Sequence, residues 1–181
     1  EQLIPWFNPG EGAFKVIPGD YVTTEDGTGI VHIAPTFGAD DAKVARLAGV
    51  PGLQVVDKNG DLQAQVDLRG RFFCVEDLDP EYAAANMSPE YAEWAGRYVK
   101  NAYDATLPED APTLDVDICV MLKQQNKAFR IEKHTHNYPH CWRTDKPVLY
   151  YPLNSWFIKT TAVRERMMEL NEQIMWKPES T

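Results

Sequence analysis

Three side chains of this chain have the types and spacing to do chemistry together: His32, Asp40 and Asp41. An imidazole changes charge near neutral pH and can orient water, accept a proton or serve as a rigid wall. A carboxylate can hold an ammonium group through charge-assisted hydrogen bonds. All three lie in the run Gly27-Thr28-Gly29-Ile30-Val31-His32-Ile33-Ala34-Pro35-Thr36-Phe37-Gly38-Ala39-Asp40-Asp41. Residues 28–34 are β-prone, with Ile30, His32 and Ala34 on one face and Val31 and Ile33 on the other. Pro35 cannot donate to a ladder and ends the strand. Gly38 permits a bend, and Ala39-Asp40-Asp41 opens a helix that runs to about Ala48 and stops at Gly49. Acidic residues suit that start because the free N–H groups there carry partial positive charge. One imidazole on a strand and two carboxylates at a helix entrance, joined by a sharp turn, can line one small polar pocket. Spacing alone leaves a plainer account open, in which the histidine packs and the acids cap their helix.

Two further groups invite a chemical reading. His134, His136, His140 and Cys141 place four ligand-type residues close together, and zinc takes four such ligands in a tetrahedron, often from CxxC or HxxxH pairs. A packed turn with aromatic and imidazole contacts is the alternative. Arg69 and Arg71 flank Gly70 and can either touch phosphate or stand as solvated turn residues.

The elements that must position these residues follow from pattern. Residues 1–13 read as an irregular lead-in, 14–17 and 21–24 as short strands. Residues 53–56 and 62–66 form a hairpin about Asp57-Lys58-Asn59-Gly60-Asp61, where Asn-Gly accepts positive φ. Ser88-Pro89-Glu90 starts a helix whose Tyr91, Trp94, Ala95, Tyr98 and Ala102 recur at helical spacing to about Tyr103, a stripe that suits a core. Residues 104–113 are a linker and 114–127 a helix with Leu114, Ile118, Met121, Leu122 and Gln125 along one side. Residues 147–151 and 155–158 are strand-like. Thr160 or Thr161 caps a last helix in which Val163, Met167, Leu170 and Ile174 form an apolar face that needs a partner. No internal repeat is evident. Short strands and tight turns at this density predict an α/β (α+β) fold, a small barrel-like sheet with surrounding helices.

The 181 residues suggest one domain with an appended piece, and 44% apolar with 25% charged residues is an ordinary globular composition. A net charge of −9 argues against independent, tight nucleic-acid binding. No apolar run reaches the ~20 residues of a membrane span, and Glu1-Gln2-Leu3-Ile4-Pro5 lacks the basic start and apolar stretch of a secretory leader. Three cysteines without a CxxC pair suit a reducing compartment. The expected location is the cytoplasm, with no membrane partner.

The run from Gly27 to Asp41 closely resembles the core motif of the editing domain of isoleucyl-tRNA synthetases, a family of class I aminoacyl-tRNA synthetases. Valyl relatives usually carry Lys where this chain has His32, and valyl and leucyl relatives carry His-Asp in place of Phe37-Gly38. The acid at Asp41 is common to all three. Tyr138-Pro139-His140-Cys141-Trp142-Arg143, followed by Ser155-Trp156-Phe157-Ile158, resembles the segment where such an enzyme's chain returns to its catalytic core. The resemblance therefore implies an editing domain over residues 1–135 and a return segment over 136–181. It implies hydrolysis of mischarged valyl-tRNA(Ile), with Asp41 holding the α-ammonium and His32 gauging the side chain or orienting water. Thr36, Phe37, Gly38 and Asp40 would complete the substrate site, with turn amides as candidate oxyanion donors. Partners would be the tRNA(Ile) 3′ end and the rest of a synthetase chain. A non-catalytic module that positions the tRNA acceptor end is the alternative.

The same resemblance bears on cofactors. Members often carry a second Cys three residues after the position of Cys141, where this chain has Thr144; zinc is therefore not expected, and no cofactor is expected in this stretch. ATP would serve the full-length enzyme. The HIGH-like and KMSKS-like motifs of ATP-driven activation do not occur here, nor does a phosphate-cradling GxxxxGK[ST] or a GxGxxG. The threonine-rich peptide that forms one wall of the family's editing pocket is not found upstream of Gly27; Thr23-Thr24 stands too close to the motif to serve.

Overall fold

The computed structural model describes residues 2–25, 27–108, 110–133 and 135–177. Its centre is a cluster of aromatic and aliphatic side chains that includes Trp6, Phe7, Val55, Phe72, Tyr91 and Trp94. Ring geometry ties the cluster together: Phe7 meets Tyr91 edge-on at 4.4 Å, Trp6 meets Phe72 edge-on at 5.3 Å, and Trp6 tilts against Trp94 at 4.9 Å. Such pairs contribute about 0.5–1.5 kcal/mol each beyond their burial. The Pro- and Gly-rich lead-in, expected to be irregular, is so, and it also supplies two core residues, Trp6 and Phe7. It is held by backbone bonds from the amide of Ser88 to the carbonyl of Trp6 and from the amide of Asn8 to the carbonyl of Asn86, 2.8 and 2.9 Å.

Around this core the chain is a small mixed α/β domain. In order come α1 (Ala39–Leu47), β1 (Val55–Val56), β2 (Leu62–Gln63), α2 (Pro80–Asn86), α3 (Leu114–Gln124) and α4 (Arg164–Asn171). Strands β1 and β2 are antiparallel, Val55 opposite Gln63 and Val56 opposite Leu62. Short 3-10 turns fill Val75–Asp77, Pro89–Glu93, Asn101–Tyr103 and Thr160–Ala162.

The expected barrel-like sheet does not close among the described residues: one two-stranded sheet and five isolated bridges are present. The segments 14–17, 21–24, 28–34 and 155–158 are not ladder strands, and 147–151 contributes a single bridge, from Pro147 to His140. Alternating side chains make a segment able to be a strand, but only a neighbour with free backbone groups makes it one.

The helix expected over 88–103 is also corrected. Ser88 accepts a bond from the Glu90 amide and Pro89 opens the turn, as the sequence indicates. After Trp94, however, the chain reverses at Gly96, φ +76°. The amide of Gly96 bonds the carbonyl of Phe72, the amide of Phe72 bonds that of Arg97, and the amide of Val99 bonds that of Gly70. Pairing with residues 70–72 satisfies these groups while still seating Tyr91 and Trp94 in the core. The stripe is core, as expected, but it is delivered by a turn and an extended run. Helix α2, which the sequence reading left out, carries the same kind of start: the Asp79 carboxylate accepts from the Tyr82 amide at 2.7 Å, with Pro80 next.

Two turns ten residues apart are near copies, although no repeat is evident in sequence. In the first, Asp57 Oδ1 accepts the amides of Asn59 and Asp61, and the Gly60 amide bonds the Asp57 carbonyl. In the second, Asp67 Oδ1 accepts the amides of Arg69 and Arg71, and the Gly70 amide bonds the Asp67 carbonyl. Gly60 and Gly70 sit at φ +83° and +79°, where a Cβ is strained. The shared pattern is Asp-x-x-Gly, with the aspartate standing in for the partner strand.

Candidate functional site

The turn that joins the histidine segment to α1 is organised around Ala34. Its carbonyl accepts the amides of Phe37 and Gly38, at 3.0 and 2.9 Å, and closes Pro35-Thr36-Phe37 into a tight loop. Its own amide donates to Asp41 Oδ2 at 2.9 Å. Asp41, in the first turn of α1, thus reaches back past the N-cap Gly38, which has no side chain to cap the helix. The reach needs a glycine for steric reasons: a Cβ on Gly38 would lie 2.5 Å from Asp41 Oδ2 and 2.7 Å from its Cγ.

Each residue expected at the site then has a definite place. Asp41 is half-buried, and among the described residues its Oδ1 receives no hydrogen bond. His32 stands two residues before Ala34, exposed, and among the described residues no hydrogen bond or ion pair holds its ring. The Thr36 hydroxyl donates to the Leu53 carbonyl at 2.7 Å and fixes the turn to the segment entering β1. Phe37 packs on the core and meets Tyr151 edge-on at 6.4 Å. Asp40 is exposed on the first turn of α1. The amides of Phe37 and Gly38, considered as oxyanion donors, are used to close the turn. The backbone ties Asp41 to the histidine segment through Ala34, while Thr36 and Phe37 hold the turn to the body of the domain.

The other groups singled out from sequence separate in space. His134 lies outside the described residues. His136 Nδ1 meets the Asn137 carbonyl, and His140 Nδ1 meets the Tyr138 carbonyl. Cys141 sits in a tight turn, its amide bonded to the Lys146 carbonyl. A hydrogen bond from the Thr144 side chain, with the amides of Arg143 and Thr144, holds its thiol below the usual range. Among the described residues no group of three or more His, Cys, Asp and Glu converges as metal ligands would. The two arginines divide: Arg71 places Nε and Nη2 on Asp67 Oδ2 at 3.0 and 2.9 Å, whereas the Arg69 side chain is exposed. No helix among the described residues is long and apolar enough to cross a membrane.

With this geometry in hand, comparison with known proteins defines the class: the chain belongs with the aminoacyl-tRNA ligases. It is 66% identical to an isoleucine–tRNA ligase of Bacteroides fragilis and 68% identical to one of Porphyromonas gingivalis, in both cases over 100% of this chain and 16% of the relative. An archaeal isoleucine–tRNA ligase, from Thermoplasma volcanium, is 40% identical over 99% of the chain and 14% of its own length. No protein-family model matches. The chain belongs to the isoleucine–tRNA ligase family, and it spans about one-sixth of the length of the curated relatives it matches.

Proposed function

We propose that this stretch is the editing portion of an isoleucine–tRNA ligase, which hydrolyses valine wrongly esterified to tRNA(Ile). Isoleucine and valine differ by one methylene, and a pocket can reject the smaller only through lost burial, worth about 1–3 kcal/mol or roughly 10–200-fold. A second site that admits valine and excludes isoleucine by size supplies the remaining discrimination. The mischarged ester carries a free α-ammonium, which a carboxylate can grip. Asp41 takes that role, and His32 stands where the side chain is measured.

The observation that carries the reading is the bond from the Ala34 amide to Asp41 Oδ2. It spends one carboxylate oxygen on the histidine segment and leaves the other for a ligand. The exposed, unheld ring of His32 is compatible with a wall that closes only around substrate. Activation of isoleucine with ATP falls to the remaining length of such ligases, and residues 1–135 and 136–181 form the editing and return segments of an editing-domain fold. The side chains of Trp156, Phe157 and Ile158 are almost wholly exposed, and the apolar side chains Met167, Met168 and Leu170 of α4 are about half exposed. In this reading the return segment covers them against the catalytic core, and the acceptor end of tRNA(Ile) is the partner.

One observation favours a second reading, a non-catalytic module that positions the acceptor end. The concave surfaces along α4 and beside the Asp67–Arg71 turn are lined by other residues than His32 and Asp41. The decisive measurement is deacylation of valyl-tRNA(Ile) by a full-length ligase carrying this segment. Asp41→Ala is expected to remove most hydrolysis, and His32→Ala to let the correct isoleucyl ester be hydrolysed as well. Deacylation within about twofold of the parent in the Asp41 variant, with selectivity intact in the His32 variant, would leave only the positioning role.

A further inference from the structure

A concave surface of about 300 Å³ opens between the Asp67–Arg71 turn and the returning chain at residues 149–153. Tyr103, Tyr151, Leu149 and Leu153 line it, with Asp67 and Arg69 beside them. This volume is at the lower end of small-ligand sites. Both rings are fixed by their hydroxyls: Tyr103 donates to the Pro147 carbonyl at 2.8 Å and Tyr151 to the Val66 carbonyl at 2.7 Å. Tyr103 is further seated over Gly70, where a Cβ would come within 2.5 Å of the ring. Walls held in this way lose little freedom when a ligand enters.

The charge in this concavity is as specific as its shape. Its acid, Asp67, is already committed: Oδ1 to two backbone amides and Oδ2 to the guanidinium of Arg71. The twin turn at Asp57 has no arginine in this arrangement; there Gln63 takes the second oxygen. Arg69 pairs with no carboxylate among the described residues. The uncompensated charge of the concavity is therefore one cation, on a chain of net charge −9. A guanidinium offers a planar fork suited to phosphate, and aromatic and leucine walls suit a flat base. A phosphate of about two negative charges gains more from one such cation than a carboxylate does.

We infer that this concavity binds a nucleotide, its phosphate on Arg69 and its base against the walls formed by Tyr103, Tyr151 and Leu153. The site shares no residue with His32 and Asp41, so it stands or falls apart from ester hydrolysis. The same chemistry is offered by a free mononucleotide and by one unit of an RNA strand.

The test is titration of the full 181-residue chain, followed by calorimetry and by tyrosine ring resonances in NMR. The probes are AMP, adenosine, inorganic phosphate and a short oligoadenylate. AMP is expected to saturate, with adenosine and inorganic phosphate each about tenfold or more weaker. Arg69→Ala should weaken AMP by about tenfold or more, the loss expected for hydrogen bonds to a charged group, and Arg69→Lys by less. Leu153→Asn should weaken AMP while leaving the response to inorganic phosphate unchanged. Tighter binding of oligoadenylate than of AMP, with the same dependence on Arg69, identifies RNA as the source; equal or weaker binding identifies the free nucleotide. The inference is overturned if AMP does not saturate by about 10 mM, a concentration well above ordinary weak sites. It is overturned equally if Arg69→Ala leaves AMP binding unchanged, or if inorganic phosphate binds as well as AMP.

Discussion

Replacing Gly38 with alanine adds one methyl group at the point where Asp41 folds back over the turn. Gly38 has φ −110° and ψ 129°, a conformation open to any residue, so the backbone itself resists nothing. The obstacle is steric. The added carbon would sit 2.5, 2.7 and 3.0 Å from Oδ2, Cγ and Cβ of Asp41. The Asp41 side chain has to rotate away, and its bond to the Ala34 amide is lost. A bond to a charged acceptor contributes about 1.5–3 kcal/mol, and half-burial puts this one near the low end, about 1.5 kcal/mol. Alanine also narrows the unfolded ensemble, worth about 0.4–1 kcal/mol in favour of the fold. It is a poorer N-cap than glycine by a similar amount, so these two effects nearly cancel. Gly38→Ala is therefore expected to cost about 1.5 kcal/mol in the parent chain, and within about 0.5 kcal/mol of nothing in an Asp41→Ala background, where the bond is already absent. Asp41→Ala alone should cost about 2 kcal/mol, since an acid in the first helical turn is lost as well. Urea unfolding of the four proteins measures the cycle, and 1.5 kcal/mol moves a midpoint by about 0.5–1.5 M. Equal costs of Gly38→Ala in the two backgrounds would refute the argument that Asp41 is what the missing Cβ makes room for.

Two further outcomes test the packing that carries the site. Burial by itself would raise the Asp57 carboxyl, but the amides of Asp61 and Asn59 and the Gln63 side chain outweigh it and hold the group below its ordinary value of 3.8. The unfolded chain then binds the proton more tightly than the folded one. The stabilisation is complete above that value and is lost as pH falls through the folded-state pKa. Asp57→Ala should cost about 2–4 kcal/mol near neutrality; Asp57→Asn should cost less and flatten the acid limb of a stability–pH curve. A parent and an Asn variant with identical acid limbs would exclude this role. Tyr91 is fully buried, and its hydroxyl donates to the Phe73 carbonyl at 2.7 Å. Tyr91→Phe should cost about 1–2 kcal/mol in the same urea assay, and a variant as stable as the parent would show that water satisfies that carbonyl.

Legibility along the chain divides by the reach of the interaction concerned. The start of α1 after Gly38, the Asn59-Gly60 turn, the Ser88-Pro89 start, and the run of Leu114, Ile118 and Met121 on α3 could all be read. Each depends on residues within about one helical turn of one another. Helix α2 carried the same signal at Asp79-Pro80 and was readable in principle. The strands expected at residues 14–17, 21–24 and 28–34 were not, because alternation records which faces differ and not whether a neighbour offers its backbone. Gly96 does not stand out as a helix breaker because the aromatic spacing on either side of it happens to fit a helix. At the site, the motif brought His32, Thr36, Phe37, Gly38, Asp40 and Asp41 to notice, but not that the Thr36 hydroxyl goes to Leu53 or that Asp41 is spent in part on Ala34.

The order of residues was enough to assign this chain to the isoleucine–tRNA ligases, because family membership is carried by a contiguous string and survives without coordinates. It was also enough to locate the starts of α1 and α3, since helix entry is set by near neighbours, whereas α4 begins at Arg164 after a 3-10 turn and not at a Thr160 or Thr161 cap. Folding in three dimensions settled the rest. It brought Trp6 and Phe7 from a Pro- and Gly-rich stretch into the core, and bent residues 97–99 alongside 70–72. The cause is the same in each case: buried polar groups must find partners and apolar surface must find cover, and those partners lie tens of residues away along the chain.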